Sequence, residues 1–155
     1  MKLKINPVGN EPISLEDAKA YLQVDYDEDD KVIIRMIKAA RQYIETMCGI
    51  SIIEKEIELS MENYSKPLLL PYGPVKSVES LTIDGEVVED FEGEYIETGT
   101  AFEIEYTTGF DPLPEGLEQL IYDILKLYYD ARGTAVEIPL MTRTMISTYS
   151  RNLFI

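Results

Sequence analysis

Ile33, Ile37, Ala40, Ile44 and Met47 recur at alternating spacings of four and three, which places them on one face of a helix. Acidic residues from Asp27 to Asp30 lead into this run, favoured there by the helix dipole, and Gly49 follows it with the left-handed conformation that other side chains resist. The pattern predicts a helix over Asp30 to Cys48. A second stripe, Leu117, Leu120, Ile121, Ile124, Leu127, Tyr128 and Ala131, predicts a helix from Glu115 to Arg132 with its stop at Gly133. Each long helix has one apolar face to bury, so the two are expected to pack on each other. Ser14 with Leu15, Glu16 and Asp17 resembles a capping box and starts a short helix to about Leu22.

Between the long helices the period changes to two. Ile57, Leu59 and Met61 alternate with Glu56, Glu58 and Ser60, and Phe102, Ile104 and Tyr106 alternate with Glu103, Glu105 and Thr107, the signature of half-buried strands. Val78 to Ile83 and Val87-Val88 flank Asp84-Gly85, a strong hairpin signal. Prolines punctuate 67–74 and 112–114. Beyond Gly133, Leu140, Met141, Met145 and Ile146 are interleaved with threonines, and this tail is expected to be helical only against a partner. The fold class that follows is α+β, a bundle of two long helices and a short N-terminal helix with an inserted antiparallel β-hairpin or small sheet. One domain over 1–155 is expected, helical over 11–50, β over 51–110, helical over 115–133, with a tail over 134–155.

Composition narrows the function classes. No run reaches the roughly 20 apolar residues of a membrane helix, and no export signal follows Met1-Lys2-Leu3-Lys4, so the chain is expected to be made in the cytoplasm without membrane contact. A single cysteine and no histidine exclude an internal disulfide, a Cys/His zinc site and a Ser-His-Asp or Cys-His centre. With 14 basic against 29 acidic residues the net charge is −15, which repels nucleic acid phosphates. DNA could still pass a wall of this sign without being gripped.

The candidate sites are few. Asp25 and Asp27 to Asp30 lack the glycine and glutamate of a calcium loop and read as acids at a helix start. Glu103 and Glu105 share the polar face of one strand and read as solvated. Cys48 reads as a small core residue. No catalytic, cofactor-binding or metal-binding residue is assigned, no cofactor is expected, and the chain is read as a non-enzyme. Lys31, Arg35 and Lys38, at helical spacing away from Ile33 and Ile37, give an acidic protein one basic stripe. That stripe is either a solvated face or a contact with the acidic surface of a neighbouring copy, as a ring of identical subunits needs.

The order of these features also resembles a family, the head-tail connector (adaptor) proteins of long-tailed bacteriophages, known too as phage DNA-packaging proteins. The resemblance lies in Ile13-Ser14-Leu15-Glu16-Asp17-Ala18-Lys19-Ala20-Tyr21-Leu22-Gln23-Val24, an acidic stretch, and Ile37 to Glu45 closing on Cys48-Gly49. It continues through Leu70-Pro71-Tyr72-Gly73-Pro74-Val75-Lys76-Ser77-Val78, Ile83-Asp84-Gly85 and Ile104 to Phe110, covering about 11–133. The resemblance implies a structural subunit of a dodecameric ring beneath the portal protein of a DNA-filled capsid, joined on its other side to a tail-side adaptor or stopper. It implies a virion component, encoded by a phage or prophage, through which DNA passes without specific binding. The alternative is an acidic soluble binding module that mimics nucleic acid or recruits a basic partner.

Overall fold

A computed structural model describes residues 1–132 and 134–151. By its contacts the chain falls into two compact units, residues 1–10 with 49–111 and residues 11–48 with 112–151. Each buries its own apolar pattern, period two in the first and helical in the second.

The helical unit holds α1 (Leu15–Leu22), α2 (Asp30–Cys48), α3 (Glu115–Ala131) and α4 (Leu140–Ser147). The bounds of α1 and α2 are those expected, because their ends are written in side chains. Ser14 Oγ accepts from the Asp17 amide at 3.0 Å and donates to the Asp17 carboxylate at 2.6 Å, so the acid engages the serine hydroxyl. Gly49 closes α2 at φ 66. The stop expected at Gly133 lies outside the described residues, as do residues 152–155 of the tail.

Helix α2 packs on α3 through Ile33, Ile37, Ala40 and Ile44 against a face containing Leu117, Leu120, Ile121 and Ile124. Two details differ from the sequence pattern. Met47 is 55% exposed, and Cys48, one position on, takes the inward place. Because α1, α2 and α4 all pack on α3, its buried arc takes in Leu125 and Tyr129, while Leu127, Tyr128 and Ala131 are only half-buried. The partner that makes the tail helical is the chain itself: α4 rests on α2 and α3, with Ile138 and Ile146 buried.

The sheet unit holds β1 (Lys2–Pro7), β2 (Lys55–Glu62), β3 (Leu68–Leu69), β4 (Val75–Ile83), β5 (Glu86–Val87), β6 (Tyr95–Ile96) and β7 (Ala101–Thr108). Five of them form an antiparallel sheet in the order β1-β2-β7-β4-β5, and β3 pairs with β6. The sheet is therefore larger than the hairpin or small sheet expected, and it is not wholly an insertion, since β1 precedes every helix. The expected hairpin is present: Asp84 and Gly85 turn at φ 50 and 85 between β4 and β5. The Asp84 carboxylate accepts from the Thr100 and Ala101 amides at 2.9 Å, which ties this turn to the start of β7 and holds its carboxyl below the usual range.

The backbone at Glu54, ahead of β2, is approached from two sides by glycine. A Cβ on Gly9 would lie 2.6 Å from the Glu54 nitrogen, and one on Gly109, at φ +131, 3.0 Å from its Cα. Larger residues would push the strand ends apart at this point.

Candidate functional site

The solvent face of α2 carries the basic stripe. Lys31, Arg35 and Lys38 are all exposed, and none is paired with an acid among the described residues. Val32 and Ile34, 42% and 50% exposed, flank them. The outward surface of this helix is thus cationic along its middle and apolar at its margins.

The sheet separates its two faces by strand parity. One buries Ile57, Leu59, Leu81, Phe102, Ile104 and Tyr106, covered by chain segments that bring Tyr64, Leu70, Tyr72, Phe91 and Ile96 onto them. The other is polar and exposed, and here the register brings together glutamates distant in sequence. Glu58 of β2 stands directly opposite Glu105 of β7, with Glu56 and Glu103 one same-face step along their strands in opposite directions. Edge strand β1 offsets part of this charge. Lys4 Nζ lies 2.5 Å from Glu58, and Asn6 Nδ2 donates to Glu56 at 2.8 Å. Glu103 and Glu105 have no such partner among the described residues, and they help line an open groove of about 420 Å³ with Lys2, Lys4, Glu58 and Ser80.

Two polar clusters hold the helical unit. Arg41 is buried and forked: Nε and Nη2 donate to Glu11 at 2.7 and 2.8 Å, and Nη1 donates to Glu45 at 2.6 Å. Asp29, before α2, accepts from Tyr129 Oη at 2.7 Å, from Tyr26 Oη at 3.1 Å and from Arg132 Nη2 at 2.5 Å, fastening the α1–α2 loop to the end of α3. The bond from Tyr129, with those from Tyr26 and Arg132, holds the Asp29 carboxyl below its ordinary value. A group with a lowered folded-state pKa contributes stability above its unfolded pKa of about 3.9, and that contribution is lost as pH falls through the folded value. Asp29→Asn is therefore expected to lower the thermal midpoint at pH 7, with the gap to the parent closing as both are taken toward pH 2. A constant gap across that range would show that Asp29 ionisation plays no part.

Two of the other acids near Asp29, Asp27 and Asp30, serve as partners of a lysine. Lys19 Nζ contacts Asp27 at 2.6 Å and Asp30 at 2.8 Å. Among the described residues no group of three or more His, Cys, Asp or Glu is arranged to hold a metal ion. Cys48 is buried, its thiol donates to the Ile146 carbonyl at 3.1 Å, and burial pushes its pKa up to about 11. It stays protonated near neutral pH and is unsuited to nucleophilic work. No helix among the described residues is long and apolar enough to cross a membrane. Sequence reading found the stripe on α2 but missed the glutamate ladder and the Arg41 fork. The parity of β2 and β7 was visible; their adjacency was not.

The profile of the family described as phage gp6-like head-tail connector protein matches residues 12–86. In fold, the chain is similar to one in the neck of an empty gene transfer agent (GTA) particle computed with C6 symmetry, at TM-score 0.69 and 22% identity over 95% of both chains. It is also similar to a chain in the virion of a native GTA particle, at TM-score 0.70 and 20% identity over 94% of both. A chain in the neck of a native GTA particle computed with C12 symmetry aligns at TM-score 0.64 and 21% identity, over 95% of this chain and 94% of that one. No curated protein matches the chain in sequence.

Proposed function

We propose that the chain is a member of the phage gp6-like head-tail connector family, whose profile matches residues 12–86, and a structural subunit of the virion that joins the DNA-filled capsid to the tail. The observation that carries this reading is the family match, and the likeness in fold to chains of particle necks over nearly the whole length supports it. In this reading the chain works by assembly, without catalysis. Copies form a ring beneath the portal protein, with a tail-side adaptor or stopper on the other side. Twelve copies agree with the C12 symmetry used for one similar neck.

The charge suits that place. A subunit of net charge −15 offers passing DNA repulsion and no binding minimum, so the duplex slides without being held. Lys31, Arg35 and Lys38 are the exception, and we assign them to the contact between neighbouring subunits. The rival reading, a soluble module that mimics nucleic acid or recruits a basic partner, predicts a monomer with no affinity for a portal.

The test is to mix the protein with the portal protein of the same phage and to image the product by electron microscopy. A symmetric ring seated on the portal is expected. No ring at any protein or salt concentration tried would overturn the connector reading.

A further inference from the structure

Two surfaces of this chain carry opposite charge in matching geometry, the basic one without acidic partners among the described residues and the acidic one only partly offset by Lys4. The outward face of α2 presents Lys31, Arg35 and Lys38 without acidic partners, flanked by exposed Val32 and Ile34. The polar face of the sheet presents Glu56 and Glu58 on β2 beside Glu103 and Glu105 on β7, with Glu58 and Glu105 directly opposed. Like charges facing each other across a strand pair are unfavourable, and Lys4 pairs directly with Glu58 while reaching Glu105 and Glu56 only through longer-range attraction. A cation entering beside Glu103 and Glu105 would relieve the rest.

The spacings allow one surface to lie along the other. Residues four apart on a helix are separated by about 6 Å along its axis. Same-face residues of a strand are separated by about 6.7 Å, and neighbouring strands by about 4.8 Å. Lys31 and Arg35 can therefore meet Glu103 and Glu105 in step, and the β2 glutamates lie within one strand spacing of that line. The shallow groove over β1, β2, β7 and β4 gives such a helix a seat.

We infer that the polar face of the sheet is the acceptor for the basic face of α2 from a second copy of this chain. The inference rests on the ring reading above and names the acidic half of its subunit contact. The contact is heterologous, helix of one copy to sheet of the next, and such contacts close into rings when the rotation between copies permits. One copy offers both halves, so every copy in the ring uses both.

Charge reversal tests it in a form that excludes other occupants. One variant carries Lys31→Glu, Arg35→Glu and Lys38→Glu; the other carries Glu103→Lys and Glu105→Lys. All five positions are exposed, and thermal unfolding checks that both variants remain folded. Each variant alone is expected to lose ring formation on the portal by about tenfold or more in apparent affinity, because like charges now meet. An equimolar mixture is expected to recover it, since the reversed helix of one variant fits the reversed sheet of the other and the copies alternate. Ring formation by the sheet variant at the parent level overturns the inference while leaving the ring reading intact. Loss in both variants without recovery in the mixture also overturns it, and assigns the charges to the portal instead. If the parent chain forms no ring, the connector reading fails and this inference with it.

Discussion

Urea unfolding of Arg41→Ala is expected to show a loss of about 3–5 kcal/mol relative to the parent, the cost of removing one partner from a buried ion pair. Arg41 is 3% exposed, and its guanidinium reaches Glu11 through two nitrogens and Glu45 through a third. Alanine takes that guanidinium away from the Glu45 carboxylate, which is 6% exposed. Arg41→Lys keeps the charge but not the planar fork, so it is expected to fall between parent and alanine. A loss below about 1 kcal/mol for Arg41→Ala would mark the triad as no stronger than a surface pair. The consequence reaches assembly, because the triad ties the segment ahead of α1 to the helix that carries Lys31, Arg35 and Lys38.

The parts of the fold legible in sequence were those whose causes are local. Helix α1 was readable from Ser14 and Asp17, and α2 from a clean apolar stripe and a terminal glycine. The turn at Asp84-Gly85 followed from two residues that tolerate positive φ. What stayed hidden depended on partners distant in sequence. Arg41 and Glu45 stand four apart on α2, but nothing in that spacing brings in Glu11, 30 positions before Arg41, to complete the cluster. Strand β1 escaped notice because an edge strand buries little: Leu3 and Ile5 are each 37% exposed, and six residues give a short alternation. The candidate site divides in the same way. Helical spacing exposed the basic stripe on α2, but the glutamate ladder needs β7 to lie between β2 and β4, a strand order that alternation alone does not encode.

The sheet unit has its own sensitive position, and two substitutions at Tyr106 separate what its ring and its hydroxyl contribute. Tyr106 is 1% exposed at the centre of the apolar face of β7, and its hydroxyl donates to the Pro71 carbonyl at 2.9 Å. Tyr106→Phe keeps the ring and withdraws the donor from the half-buried Pro71 carbonyl, at an expected cost of about 0.5–1.5 kcal/mol. Tyr106→Ala also deletes the ring and opens a cavity among Ile57, Leu81 and Ile104, at an expected total of about 3–5 kcal/mol by analogy with other large aromatic truncations. Denaturant unfolding reads both. Equal losses for the two variants would mean that the hydroxyl alone holds the 67–74 segment onto the sheet. A loss for alanine no larger than about 1 kcal/mol would mean that the sheet repacks around the missing ring. If the expected order holds, the apolar face of β7 sets the stability of the unit whose polar face carries Glu103 and Glu105. A variant weakened at Tyr106 should then lose ring formation without any change in surface charge, whereas the charge-reversed sheet should lose it while remaining as stable as the parent.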